Sequence, residues 1–186
     1  MIVNPLISIE DLDFEFENST VRIVANRKCP RIELMGLKIG PFEEGGEYEV
    51  RFWVARELEK SGIARFREEM LDAVMLYKIQ WKERVQSVRR FSSLPEDFYP
   101  KLRRYLVNLK EESARKTEKL MEYKKVAGLS RDIINCRLKK LVSLSSSPAQ
   151  TSQILQNLVK EEHIIYDYLF KIISEWRSKI IEGSKS

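Results

Sequence analysis

The sequence has little of the chemistry on which most enzymes and metal proteins depend. It contains one histidine, His163, and two cysteines, Cys29 and Cys136, which lie about a hundred positions apart. Zinc sites and disulfide frameworks need several such residues at short, regular spacings, so we expect neither. The glycine-rich, GxSxG and HExxH patterns of phosphate-binding loops, hydrolases and metalloproteases are also absent. We therefore predict a protein that is not an enzyme and that binds no cofactor or metal.

Long apolar runs are missing too. No such run reaches the roughly 20 residues that a membrane-spanning helix requires. The first residues, MIVNPLISIEDLDFEF, have no basic segment and become acidic within ten positions, which is unlike a signal peptide. We expect the protein to stay in the compartment where it is made and to have no membrane partner.

Short strands are predicted for the first part of the chain. Four of the seven glycines precede residue 50, and turn residues there separate segments in which apolar and polar residues alternate. These segments are Leu12 to Phe16, Thr20 to Val24 and Arg31 to Leu34. Alternation with a period of two predicts β-strands. The four carboxylates between residues 11 and 17 would share one face of the first strand, where we expect solvent rather than a metal ion.

Helices are predicted after residue 52, because apolar residues recur there at spacings of three and four. A helix from Trp53 to Lys60 would end at Gly62. One long amphipathic helix would follow, with its apolar side formed by Ile63, Phe66, Met70, Val74, Tyr77, Trp81, Val85 and Val88. A third helix would begin near Pro100, with Asp97 as its N-cap.

The third helix would end near Val126, and the segment AGLS at 127–130 predicts a joint that leads into a fourth helix. After a loop at 144–153, a last helix would extend to about Ile181. The sequence thus predicts an α+β fold with a small β-rich domain at 1–52, followed by a larger all-α helical bundle domain of about five helices at 53–186.

The predicted last helix has apolar residues around most of its circumference. They are Ile164, Ile165, Tyr166, Tyr168, Leu169, Phe170, Ile172, Ile173 and Trp176. A helix on the surface of a monomer should carry a single apolar stripe. The last helix is therefore expected either at the centre of the bundle or in a subunit interface, and the sequence leaves both open.

Charge is unevenly distributed along the chain. Residues 1–55 carry 6 Lys and Arg against 10 Asp and Glu, and residues 56–186 carry 27 against 18. Basic residues gather in two places: at Arg84, Arg89, Arg90, Lys101, Arg103 and Arg104, and at Arg131, Arg137, Lys139 and Lys140. Solvated helix faces explain such clusters, and so does weak, salt-sensitive contact with the DNA backbone. The alternative function is therefore a basic helical nucleic-acid-binding protein.

Three segments of the chain resemble segments of one known protein family. IELMGLKIGPFEEGGEYEVRFWVARELEKSGIARF (residues 32–66) is similar to GINS subunits whose β-rich domain comes first, the class of the second and third Psf subunits of eukaryotes. SLPEDFYPKLRRYL (93–106) and NLVKEEHIIYDYLFKII (157–173) are similar to the family's linker and closing helix. The short length of the chain, with no long tail after Ile181, resembles an archaeal subunit more than a eukaryotic one.

This resemblance implies a non-catalytic scaffold in DNA replication. The chain would pair with a second GINS subunit type of opposite domain order in a two-plus-two heterotetramer that stimulates the MCM replicative helicase at the fork. A RecJ-like nuclease-family protein, and a DNA polymerase or primase, would be further partners. Such a protein would be cytoplasmic and associated with the nucleoid.

Two groups of residues are predicted to serve this role. Phe42 and Trp53 would pin the two domains together at their junction. The subunit interface would be formed by Leu106, Leu109, Ile134, Leu138, Leu141, Ile165, Leu169, Ile172 and Trp176.

Overall fold

The computed structural model describes residues 5–34, 36–67, 71–87, 90–147 and 152–182. Asp13–Met70 forms one compact unit, here the β unit, and Met1–Leu12 with Leu71–Ser186 forms the other, here the helical unit. This division differs from the one expected after residue 52. That residues 1–52 and 53–186 fold as two independent domains stays a prediction.

The secondary structure follows the predicted class, with strands first and helices after them. The helices are α1 (Pro5–Glu17), α2 (Phe52–Lys60), α3 (Ala73–Val85), α4 (Phe98–Ser113), α5 (Thr117–Ser145), α6 (Ser152–Leu155) and α7 (Lys160–Glu182). The strands are β1 (Thr20–Ala25), β2 (Ile32–Leu34), β3 (Leu37–Ile39), β4 (Glu47–Arg51) and β5 (Ala64–Phe66). The α+β class, a small β region and then a helical bundle, is confirmed.

The β unit is built on a three-stranded antiparallel sheet with the order β4-β1-β5, and β2 and β3 form a separate hairpin. The strands expected at Thr20 to Val24 and Arg31 to Leu34 are confirmed as β1 and β2. One core joins the sheet, the hairpin and α2. Its buried members are Ile23, Ala25, Ile39, Phe42, Val54, Ala55, Leu58 and Ala64.

The strand expected at Leu12 to Phe16 is wrong, because these residues belong to helix α1. Burial does not follow the alternation: Phe16 is buried and its ring lies 4.4 Å from that of Phe52, whereas Phe14 is 73% exposed. In a helix, positions two apart point to nearly opposite sides. The carboxylates between residues 11 and 17 therefore do not share the single face that a strand would have given them.

The long helix expected from Ile63 to Val88 is also wrong as a continuous element. Helix α2 ends as predicted, with Gly62 at φ +66°, where glycine meets no steric penalty. The chain then forms β5, which pairs with β1, and α3 begins at Ala73. The side chain of Asp72 caps α3 by accepting a 2.6 Å hydrogen bond from the Met75 N–H. Met70 and Val88 lie outside the described residues.

No joint interrupts the chain at 127–130, because α5 runs from Thr117 to Ser145 through Gly128. The break falls instead at 114–116, between α4 and α5. A glycine inside a helix costs about 1 kcal/mol, but Val126, Ser130 and Ile133 are buried on the same helix. Tertiary burial on both sides of Gly128 outweighs its local preference.

Helix α5 is the central element of the helical unit, and α3, α4 and α7 pack against it. One core lies among α3, α4 and the first part of α5, and it includes Leu76, Phe98, Leu102, Leu109, Val126 and Ile133. A second lies between the end of α5 and α7, and it includes Phe91, Leu141, Leu144, Leu158 and Tyr166. Described residues after 52 contain six helices where about five were expected, α6 being only four residues long.

Candidate interaction surface

A buried ionic cluster holds the helices of the helical unit in register. Arg137 of α5 is fully buried and binds Glu83 of α3 at 2.7 Å. Its guanidinium also donates two hydrogen bonds to Glu162 of α7, one of them at 2.6 Å. Lys140 binds the second oxygen of Glu83 at 2.6 Å. Because every member has an opposite charge in contact, the burial of four ionised groups is tolerated.

Neutral donors complete this cluster. The Ser92 hydroxyl and N–H donate to Glu83, and the Tyr99 hydroxyl donates to Glu162 at 2.7 Å. Burial alone would raise the pKa of Glu83, but hydrogen bonds from Lys140 and Ser92 and the charge of Arg137 outweigh it, so that pKa is lowered. Burial, and then the neighbouring Glu162, raise the pKa of Tyr99 well above its ordinary value. Tyr99 is therefore a neutral donor at ordinary pH.

A groove of about 240 Å³ lies on the helical unit beside this cluster. Tyr99, Arg103, Glu161 and Glu162 give it a polar side. Its apolar lining is Ile9, Ile134, Leu138, Leu141 and Ile165. Helix α5 places Ile134, Leu138 and Leu141 in one row because they are spaced by four and three positions. The chemistry available here is therefore the binding of an apolar surface with a few charged anchors.

Four of the nine residues predicted for the subunit interface are brought together by this groove. They are Ile134, Leu138, Leu141 and Ile165. The remaining five lie elsewhere: Leu106 is partly buried against the first core, Leu109 is a buried member of it, and Leu169, Ile172 and Trp176 follow along α7. Burial of Leu109 to 4% exposure leaves almost no side-chain surface for a partner. The interface assignment itself stays a prediction.

Helix α7 changes character along its length. Tyr166, near its beginning, is buried in the second core. Between residues 171 and 181 every side chain except that of Ile173 is exposed, and the large apolar ones are Ile172, Trp176, Ile180 and Ile181. Only the first part of the helix is packed into the helical unit, and a subunit interface on the rest of it stays a prediction.

The exposure of the apolar stripe on α3 was not predicted from the sequence. Val74, Tyr77, Trp81 and Val85 were expected to form the apolar side of a helix, yet each is 57–65% exposed. The opposite side of α3 is buried and carries Leu76, Ile79, Gln80 and Glu83. Gln80 and Glu83 belong inside because Gln80 donates to Asp132 and Glu83 joins the ionic cluster. The only signal in the sequence for this buried side was a pair of polar residues three positions apart, Gln80 and Glu83, which could pair with the basic residues of another helix.

At least four of the ten basic residues considered for DNA contact form ion pairs within the described part of the chain. Arg137 and Lys140 are buried in the ionic cluster. Arg84 binds Asp132 at 3.0 Å, and Arg103 lies 3.7 Å from Glu161. The expectation of a basic side on α5 is therefore wrong for two of its four members. Arg89 lies outside the described residues.

Phe42 and Trp53 both belong to the β unit. Phe42 is buried beside Tyr48, with ring centroids 4.8 Å apart, and Trp53 is partly buried against the same core. Within the described residues no group of His, Cys, Asp and Glu side chains could hold a metal ion. None of the described helices is long and apolar enough to cross a membrane.

This arrangement, a helical bundle with apolar side chains left on its surface and no converging reactive groups among the described residues, is typical of subunits of larger assemblies. Residues 70–181 match the family model described as the GINS complex protein helical bundle domain, and residues 8–66 match the PSF2 N-terminal domain. The chain therefore belongs to the GINS family.

Two curated relatives identify the type of subunit to which the chain is similar. The DNA replication complex GINS protein PSF2 of Homo sapiens is 27% identical over 132 residues, which cover 70% of this chain and 67% of the relative. The protein of the same name from Xenopus laevis is 25% identical over 132 residues, with the same coverage. Within the GINS family the chain is PSF2-like.

Proposed function

We propose that this chain is the non-catalytic PSF2-like subunit of a GINS complex that acts in DNA replication. In this proposal it is an archaeal subunit of the class whose β-rich domain comes first. It pairs with a second GINS subunit type of opposite domain order in a two-plus-two tetramer. Family membership supports the assembly, and the groove lined by Ile134, Leu138, Leu141 and Ile165 supports a subunit contact on the helical unit.

The exposed half of α7 extends this contact. Ile172 and Trp176 are 44% and 63% exposed, and tryptophan is among the residues that contribute most to binding energy in interfaces. Large apolar side chains in water are a liability for a monomer. Their burial against the second subunit would remove that liability and hold the tetramer together.

The test is the mass of the complex by light scattering, for this chain alone and after co-expression with the opposite-order subunit. We expect two copies of each chain. Leu138→Glu, which puts a charge into the groove, should weaken assembly at least about tenfold. Met121→Glu is the matched control, since Met121 is 70% exposed on the same helix and does not line the groove. A monomer that ignores the co-expressed subunit would contradict the proposal.

Further partners would use other surfaces. We propose that the tetramer scaffolds and stimulates the MCM helicase and binds a RecJ-like nuclease-family protein, with a DNA polymerase or primase as an additional partner in the nucleoid. The outward stripe of α3, with Tyr77 and Trp81, supports one such contact because aromatic residues are enriched in interfaces. Trp81→Ala should then reduce helicase stimulation while the tetramer keeps its mass.

Phe42 and Trp53 are proposed to stabilise the junction between the two domains. Trp53→Ala should then lower the thermal stability of the whole chain and loosen the arrangement of its domains, measured by small-angle scattering. Unchanged stability and scattering would contradict this role.

Direct DNA binding is the alternative function. The structure gives it little support, because four of the basic residues considered for DNA contact are already paired with carboxylates. If it is correct, the isolated chain should bind duplex DNA with an affinity that falls steeply with salt. Arg90, Lys101 and Lys139 would then be the residues to neutralise.

A further inference from the structure

A pocket of about 340 Å³ opens in the β unit between two strands. It is lined by all of β3 (Leu37–Ile39), by the Gly40-Pro41-Phe42 turn and by residues 48–51 of β4, and at its end by Thr20 of β1 and Val54 of α2. Consecutive residues of a strand point alternately to opposite faces. A pocket that touches three consecutive residues of β3 and four of β4 therefore runs along the edges of both strands, not over a face of either. We call it the edge slot.

The backbone of β4 faces this slot with unused hydrogen-bonding groups. β4 is the outer strand of its sheet. The Ala25 N–H donates to the Gly46 carbonyl, and the Phe52 N–H donates to the Ser19 carbonyl. Because bonded positions alternate in an antiparallel pair, the even-numbered residues of β4 bond to β1. The odd-numbered residues, at 47, 49 and 51, direct their N–H and C=O groups outward, where no described residue accepts or donates.

Edge strands usually carry a device that prevents pairing with another chain, such as a proline, a bulge or a covering segment. β4 (EYEVR) contains no proline, and its five residues pair with β1 in unbroken register. The carboxylate of Glu49 binds Arg22 of β1, and the carboxylate of Glu47 binds Arg67, which directly follows β5. These ion pairs hold the two side chains over the face of the sheet, so they do not cover the edge.

The charged side chains around the slot indicate which kind of segment it would bind. Among the described residues, the Arg51 guanidinium donates only to the neutral oxygens of Asn18, at 3.3 Å, and has no carboxylate partner. Glu49, by contrast, is neutralised by Arg22. The apolar lining formed by Ile39, Phe42, Tyr48, Val50 and Val54 suits apolar side chains at alternate positions of an added strand.

We propose that the edge slot binds an extended segment of a partner protein, which adds a strand to the free edge of β4. The segment carries apolar residues at alternate positions and a carboxylate that meets Arg51. Main-chain hydrogen bonds to residues 47, 49 and 51 provide the affinity, and the apolar lining provides the specificity. This site lies in the β unit, so its failure would leave the subunit contact proposed for the helical unit untouched.

Glu49→Pro tests the main-chain contact directly. Proline removes the outward N–H of residue 49 and leaves the bonds of residues 48 and 50 to β1 in place. Glu49→Ala is the matched control, because it removes the same carboxylate and keeps the N–H. The probe is a peptide of about twelve residues, selected from a random phage-displayed library on the immobilised full chain and then synthesised with a fluorescent label.

We expect Glu49→Pro to weaken peptide binding at least about tenfold, because one main-chain hydrogen bond is lost and the proline ring occupies the strand edge, and Glu49→Ala to weaken it less than about threefold. In the wild-type chain the peptide should slow amide hydrogen exchange at Glu47, Glu49 and Arg51. The exchange measurement decides the matter if Glu49→Pro does not fold by circular dichroism.

Three results would overturn the proposal. One is that the library yields no peptide that protects these three amides. Another is equal binding by Glu49→Pro and the wild type. The third is a mass that doubles with concentration and returns to monomer in Glu49→Pro, which would assign the edge slot to a second copy of this chain.

Discussion

The two units of this protein distribute charge and apolar surface in opposite ways. In the β unit the buried core cluster is entirely apolar, and its ion pairs stay at least partly exposed, as with Arg22–Glu49 (56% and 61%) and Arg56–Glu17 (32% and 19%). In the helical unit four ionised groups are buried together, while large apolar side chains stand in water on α3 and α7. A buried ion pair contributes little net stability. If the helices that carry it were arranged wrongly, however, one charge would be buried without a partner. We therefore expect the β unit to depend on apolar burial and the helical unit on correct charge pairing.

The largest effect should come from Arg137→Met, which leaves Glu83 and Glu162 buried without their main partner. We expect the helical unit to lose about 3–5 kcal/mol of unfolding free energy. Native-state hydrogen exchange of amides in α5 would measure this loss separately from the β unit. Arg22→Met is the matched control, and its exposed pair with Glu49 should be worth at most about 1 kcal/mol. Similar losses of unfolding free energy for both variants would mean that charge pairing matters equally in the two units.

Ile23→Ala probes the apolar side of the comparison. Ile23 is fully buried in β1, and removal of its side chain should cost the β unit about 2–5 kcal/mol through lost burial and the cavity left behind. Hydrogen exchange of amides in β1 and β4 would measure it. Exchange in α5 should change much less, and an equal loss there would mean that the two units do not unfold separately.

The dependence of stability on pH should also differ between the units. Because the pKa of Glu83 is lowered in the folded state, its contribution is complete above the ordinary value of 4.5 and is lost as the pH falls below it. Urea unfolding from neutral pH to about pH 3.5 should therefore show a steeper loss for the wild type than for Glu83→Gln. Parallel curves for the two proteins would contradict this assignment.

The smallest expected effect is a gain. Gly128 lies within α5, and a Cβ atom added to it would meet no other atom within 4 Å. Gly128→Ala should therefore stabilise the helical unit by about 0.5–1 kcal/mol, because alanine restricts the unfolded chain and favours the helix. Thermal unfolding would measure the gain, and a loss of stability would indicate that α5 bends at this glycine.

Local patterns predicted those elements whose burial follows their own periodicity. β1 lies where the alternation of Thr20 to Val24 indicated it, and α2 ends where Gly62 provides the required conformation. The patterns failed where tertiary contacts opposed them. Alternation in Leu12 to Phe16 indicated a strand, but only Phe16 is buried, and Gly128 indicated a joint that the burial of Val126 and Ser130 overrides.

The candidate surface was only partly predictable for the same reason. Ile134, Leu138, Leu141 and Ile165 could be chosen as interface residues from their helical spacing, and one groove contains them. The stripe of Val74, Tyr77, Trp81 and Val85 forms the apolar side that the spacing predicts, but an amphipathic pattern does not say which side of a helix faces the protein. That choice depended on Arg137, more than fifty positions later in the chain, which binds Glu83 at 2.7 Å.

The sequence by itself determined the α+β class, the order of its parts and the resemblance to GINS subunits, because these depend on short-range periodicity, turn residues and segment similarity. Tertiary structure alone decided which face of each helix is buried and which basic residues are free. It also decided which strand edge is left open. These properties depend on pairings between residues far apart in the chain, where the burial of one charge is tolerated only if a distant opposite charge accompanies it.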